Sequence, residues 1–201
     1  LYYYQAPSII GGDKDKARGL PAKIREIDPA RGWLAEARLA LLEKKTERLD
    51  ELYRKAVEAN PKLYAAQMAL AAHSLQRRKD YTAAMTHAQA AHQLEPTRAA
   101  PLAVLAAASA ARGRIEEMDA WLWKAEAQVP DDLWPHLAAA RALIDAKRDT
   151  PRARTLLERY LSQPPEPDQP GHDQVRKELR ALGYRTSSEV STTRESEENR
   201  R

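Results

Sequence analysis

Apolar and polar positions along this chain follow a helical period rather than the alternation of a strand. Between residues 13 and 165, apolar residues recur three and four positions apart in stretches of about 12 to 15 residues, the spacing that lines one helix face. Short polar segments, EKKT, QRRKDYT, ARGR and DAKRDTP, separate the stretches in pairs. In the last of them Thr150 is predicted to cap a helix, with Pro151 at its first position.

Prolines set a longer interval. Pro29, Pro61, Pro96, Pro130 and Pro165 are separated by 32, 35, 34 and 35 residues, and each follows a helix-like run (REIDP, VEANP, HQLEP, AQVP) that a proline cannot continue. Two amphipathic helices and one polar turn fit between consecutive prolines, so the pattern is a repeat of helix pairs.

Composition agrees with an all-α chain: alanine-rich segments, 31% charged residues and few β-branched ones. The net charge of +4 is mild, and both signs interleave along the helices instead of forming the basic stripe that phosphate contacts need. Arg77-Arg78-Lys79 is short and falls in a turn, so no nucleic-acid partner is expected. No apolar run reaches the roughly 18 residues that span a bilayer, and direct membrane insertion is not expected.

Candidate chemistry is sparse. The absence of cysteine removes disulfides, thiolate nucleophiles and sulfur-ligated zinc. His87 and His92 are five apart, which separates them around a helix, and His73 and His136 read as packed side chains. GGDKDK lacks the spacing of a phosphate loop and follows no strand. Neither a metal site, a cofactor nor an enzymatic activity is expected.

The helix pairs, their period and their terminal prolines resemble the tetratricopeptide repeat, whose unit is about 34 residues. The resemblance implies a right-handed α-solenoid, a superhelix of antiparallel helix pairs. The units are a partial leading one over 1–29, four repeats over 30–63, 64–98, 99–132 and 133–167, a capping helix over 171–183 and a polar tail over 184–201. It implies a small residue where the two helices of a pair cross, for which the chain offers Ala37, Ala71, Ala106 and Ala140. It implies an inward series on each second helix: Leu49, Tyr53, Ala56; Ala84, Ala88, Ala91; Met118, Leu122, Ala125; Ala153, Leu157, Tyr160. Trp33 and Leu102 suit the large opening position of the first helix, whereas Gln67 and His136 depart from it, and Glu36 stands where the second and third repeats have Leu70 and Leu105. The turns of the second and fourth repeats each carry one extra residue.

In this family the first helix of each unit lines a concave wall. The resemblance places there Arg31, Leu34, Arg38 and Leu41, then Met68, Ala72 and Leu75, then Val104 and Ala107, then Trp134, Leu137, Arg141 and Ile144. A clamp for a peptide C-terminus would need asparagine on these helices, and Asn60 and Asn199 lie elsewhere. What is left is an apolar, alanine-rich groove with arginines toward its ends, suited to an apolar helical or extended segment of a protein partner. The expectation is an adaptor or scaffold. The alternative is a permanent subunit of a hetero-oligomeric assembly, touching its partners through the outer face, the ends or the tail.

Trp121, Leu122 and Trp123 span about 200° of helix arc, so the two tryptophans cannot both share the inward face of Leu122. They are expected to serve core and seam packing, with an exposed aromatic patch as the other reading.

The ends differ from the middle. LYYYQAPSIIGGDKDKARGLPAKIREIDP reads as the end of one helix, a loop at Gly11-Gly12 and a second helix from Asp13, weakened by Gly19 and Pro21. YYYQAPSIIGGDKDKA with DPARGWLAEARLAL resembles the middle of certain bacterial envelope proteins with these repeats. That implies further repeats before Leu1 and a bacterial periplasm or cell envelope, with the cytoplasm as the alternative. HDQVRKELRALG places Val175, Leu179 and Leu182 on one face with Gly183 as its stop. RTSSEVSTTRESEENRR is almost free of apolar residues and is expected to be disordered alone.

Overall fold

The computed structural model describes residues 13–164 and 169–183, so the expectations for 1–12, for 165–168 and for the tail lie outside the described residues. The chain divides into two compact units, 1–96 and 97–201. Each is all-α among the described residues and built of antiparallel helix pairs, the expected fold class.

Unit 1 holds α1 (Lys14–Ile27), α2 (Pro29–Leu42), α3 (Leu49–Ala59), α4 (Tyr64–His73) and α5 (Tyr81–Leu94). Asp13 caps α1 by accepting the Lys16 N–H at 2.9 Å, and Asp28 caps α2 by accepting that of Arg31 at 3.0 Å. Pro21 was expected to weaken α1, yet the helix runs through it. Its ring is buried with Ala17 one turn earlier, so the side chain that removes a backbone donor also joins the buried face. The helices α1 and α2 cross very closely: a Cβ on Gly32 would stand 2.5 Å from the Arg25 Cα, so only glycine fits there. Along the unit α1 packs on α2, α2 on α3, α3 on α4 and α4 on α5, with α2 also touching α4.

Unit 2 holds α6 (Ala99–Ala111), α7 (Ile115–Gln128), α8 (Trp134–Asp145), α9 (Thr150–Leu161) and α10 (His172–Ala181). The helix α6 packs on α7 and α8, α8 on α9, and α9 on α10. The helices α3, α5 and α7 end two residues before Pro61, Pro96 and Pro130. One cap differs from expectation. Asp149, not Thr150, caps α9 by accepting the Arg152 N–H at 3.1 Å, which moves Thr150 to the first and Pro151 to the second helical position.

The four crossing alanines, Ala37, Ala71, Ala106 and Ala140, are all fully buried. The inward series of the second helices is buried at every position except Tyr53, which is half-buried edge-on to the His73 ring at 5.4 Å.

Each pair turns through a left-handed residue: Lys44, Lys79, Gly113 and Lys147, at φ 60°, 55°, 74° and 52°. The backbone closes the same way in three of them, with Lys45 N–H donating to the Ala40 carbonyl, Arg114 to Ser109 and Arg148 to Leu143, five residues back. In the second pair Asp80 donates to Ser74, six residues back, because a π-helical turn over Ser74–Arg78 absorbs the extra residue. The extra residue of the fourth pair is taken up at Asp149, itself left-handed at φ 35°.

Candidate partner-binding face

The thirteen expected wall residues divide by unit. In unit 1, Arg31, Leu34, Arg38 and Leu41 recur along one face of α2, and Met68, Ala72 and Leu75 continue on α4 and its π turn. None is buried: Arg31 and Arg38 are exposed, Leu41 is 44% exposed, and Leu34, Met68, Ala72 and Leu75 are half-buried. Arg31 lies 3.5 Å from Asp28, and Arg38 makes no ion pair among the described residues.

Unit 2 requires a correction. Leu137 is fully buried in a core with Met118, Leu122, Leu157 and Leu179, and Val104 and Ala107 are buried as well. Eleven of the thirteen residues of α6 are buried, so that helix presents no wall. The reason on α8 is the width of its buried arc. It packs against α6, α7 and α9, and that arc takes in Leu137 beside Ala140. Trp134 and Ile144 are half-buried against the same core. Arg141 is already held by a two-pronged pair to Glu178 of α10, at 3.0 and 2.7 Å.

That terminal helix is anchored at several points. Val175 and Leu179 are buried in the core with Leu182 against it, the Tyr160 hydroxyl donates to the Pro170 carbonyl at 2.8 Å, and Gln169 donates to Asp132 at 2.9 Å. It closes the apolar end of the array, which is what a terminal helix with a polar back supplies.

The departures from the repeat pattern carry their own partners. Gln67 is buried, donates to the Pro61 carbonyl at 2.8 Å, and its Oε1 lies 2.8 Å from the His87 ring. His136 is buried 3.1 Å from Glu126, which also accepts from Arg159 at 3.0 Å. Glu36 lies between Arg25 at 3.1 Å and Arg48 at 3.0 Å. Burial pushes His73, His87 and His136 below the ordinary histidine value, favouring neutral rings. Burial works to raise the Asp50 carboxyl, but hydrogen bonds from Arg78 and Arg54 hold it below its ordinary value.

Trp121 is half-buried against the unit 2 core with the Lys124 ammonium 5.7 Å from its ring centre, while Trp123 is 73% exposed on α7. Among the described residues no group of three or more His, Asp or Glu is placed to hold a metal ion, and no helix is long and apolar enough to cross a membrane.

Helix pairs closed by a recurrent left-handed turn, with buried alanines at their crossings, define a helical-repeat protein. No protein-family model matches the chain, and no curated protein matches it in sequence. Among solved structures it is similar to PilW, a widely conserved type IV pilus biogenesis factor, with a TM-score of 0.59 and 20% identity over 77% of this chain and 71% of PilW. At that identity the likeness is one of fold.

Proposed function

We propose that the helix pairs are divergent tetratricopeptide units and that the chain is a protein-binding adaptor or scaffold rather than an enzyme. The observation that carries this reading is the face of α2 and α4 in unit 1, where all seven expected contact residues keep accessible surface. Leucines, a methionine and an alanine make up the apolar part of that face, so a partner segment would bury apolar area on a wall formed before binding, at about 25 cal/mol per Å², while Arg31 and Arg38 on α2 orient it. The likeness to PilW supports the solenoid fold, and a setting in a bacterial envelope assembly is part of the proposal.

The second reading, a permanent subunit of a larger assembly, is favoured by one observation, the exposure of Trp123 on α7. Affinity capture from the native source separates the two. The adaptor reading expects a partner recovered by the parent chain and by Trp123→Ser but lost by Leu41→Glu/Met68→Glu at unchanged helical circular dichroism. A partner lost by Trp123→Ser and kept by the double variant would move the site to α7.

A further inference from the structure

Resting on the protein-binding reading, and sharpening it to one kind of partner, we propose that a second site in unit 1, the cleft between α1 and α2, binds an acidic extended segment through two carboxylates. The cleft has a volume of about 270 Å³, and among the described residues it is lined by Arg18, Arg25, Lys45 and Arg48 with Glu36 and Glu43, over apolar positions that include Pro21 and Leu39.

The two carboxylates do not cancel the site, because of where they lie. The Glu43 side chain is 10% exposed and that of Glu36 20%, whereas Arg18, Arg48 and Lys45 are 52%, 51% and 62% exposed. Three of the four cations thus face outward with the carboxylates recessed behind them, while Arg25, 29% exposed, lies nearly as deep as Glu36. Asp15, on Arg18 at 3.0 Å, is the exposed acid at the rim.

Each recessed carboxylate organises a pair of cations. Glu43 accepts from Arg18 at 2.7 Å and from Lys45 at 2.6 Å, and those hydrogen bonds hold its carboxyl below the ordinary value. Glu36 lies between Arg25 and Arg48, and the Arg25 guanidinium is pinned 3.9 Å over the Trp33 ring. The result is two clusters, each with two cations around one recessed acid, and the exposed Asp15 adds a second acid to the Arg18 cluster. Their recessed acids stand seven residues apart, Glu36 on α2 and Glu43 at its C-cap, about 10 Å along the helix axis. In a polyproline II segment, residues three apart share a face at about 9 Å, so Glu-x-x-Glu would set one carboxylate at each cluster.

A peptide suits this cleft better than a nucleic acid. The surplus is one charge, or two once an incoming carboxylate takes the place of the exposed Asp15 on Arg18, which suits two carboxylates rather than a run of phosphates, and the aromatic ring beside the cleft has one face covered by Arg25 instead of being open for a base.

The test is fluorescence anisotropy of the full chain with a labelled peptide containing Glu-Pro-Pro-Glu. The expected result is binding that weakens about tenfold or more in three cases: both glutamates made glutamine, Lys45→Glu/Arg48→Glu in the protein, or added salt. Arg154→Glu, the same kind of charge reversal on α9 of unit 2, is expected to leave binding within about twofold. If the double reversal loses helicity, Lys45→Ala, at a largely exposed site, carries the comparison, with a loss of several-fold expected.

Four results would overturn the proposal: equal affinity for the glutamine peptide, equal affinity for adjacent glutamates, an Arg154→Glu effect as large as that in the cleft, or tighter binding of a single-stranded oligonucleotide at the same residues. Because the face of α2 and α4 is read out by Leu41→Glu/Met68→Glu, failure here leaves the capture result standing on its own.

Discussion

At the inward positions of its second helices unit 2 carries Met118, Leu122, Leu157 and Tyr160, where the second pair of unit 1 carries Ala84, Ala88 and Ala91. Among the described residues, the largest fully buried side chains include only Leu49 and Leu52 from unit 1, the rest lying in unit 2. Ion pairs occur in both units: in unit 1 Asp50 accepts from Arg54 and Arg78 at 2.9 and 2.6 Å and Glu36 and Glu43 each bridge two cations, and in unit 2 Arg141 pairs with Glu178, Arg152 with Asp119, and Glu126 with Arg159 beside His136. The same repeat can thus be filled by large apolar side chains or by alanines, with ion pairs between the helices in either case. Partly exposed ion pairs contribute little each and are screened by salt, so unit 1 has less holding it than unit 2. Its first helices keep their expected wall faces accessible, whereas in unit 2 Val104, Ala107 and Leu137 are buried, Trp134 and Ile144 are half-buried against the core and Arg141 is already paired.

The largest break in this comparison is expected from one substitution made in both units. Leu137→Glu puts an unpaired charge into the unit 2 core and should cost about 3–5 kcal/mol or unfold the unit. Leu41→Glu, on the open face of unit 1, should stay within about 0.5 kcal/mol. Chemical denaturation of the two variants measures the difference.

A smaller effect is expected from pH in unit 2. Folding lowers the pKa of His136 from its ordinary 6.5, through burial first and against the pull of Glu126. The folded state therefore favours the neutral ring: its contribution is fully present above about pH 6.5 and is lost as the pH falls from there through the folded-state value. Hydrogen exchange of the α8 and α9 peptides should quicken on going from about pH 7.5 to 5.5, after correction for intrinsic rates, and His136→Gln should flatten that dependence.

Third in size are the turns. Lys44 and Lys147 hold left-handed backbone that costs a non-glycine residue about 1 kcal/mol, so Lys44→Gly and Lys147→Gly should each stabilise by up to about that amount. A drop in melting temperature for both would refute that account of the turns.

Much of the fold was legible in the sequence because its cause is local. Proline spacing marks where helices must end, and the register implied by the resemblance to the repeat family picked out Ala37, Ala71, Ala106 and Ala140, where crossing axes need small residues. The turns were less legible, since three of the four recurrent left-handed positions are lysines and carry no glycine signal. Of the expected face, the half on α2 and α4 stays accessible. The half in unit 2 was misplaced at Leu137, Val104 and Ala107 because a family register marks which residue faces a groove but not how wide an arc its neighbours cover. The pairing of Arg141 with Glu178, 37 residues on, is a tertiary event without a local pattern. The cleft between α1 and α2 escaped for the same reason: its cations come from a helix, a turn and a 3-10 segment that only folding brings together.

The most direct test of the central claim is hydrogen exchange of the full chain, alone and with its captured partner. The account expects new protection over α2 and α4, at the peptides carrying Leu34, Arg38, Leu41 and Met68, with α8 and α10 unchanged. Protection gained around Trp123 on α7 while α2 and α4 exchange as before would contradict it.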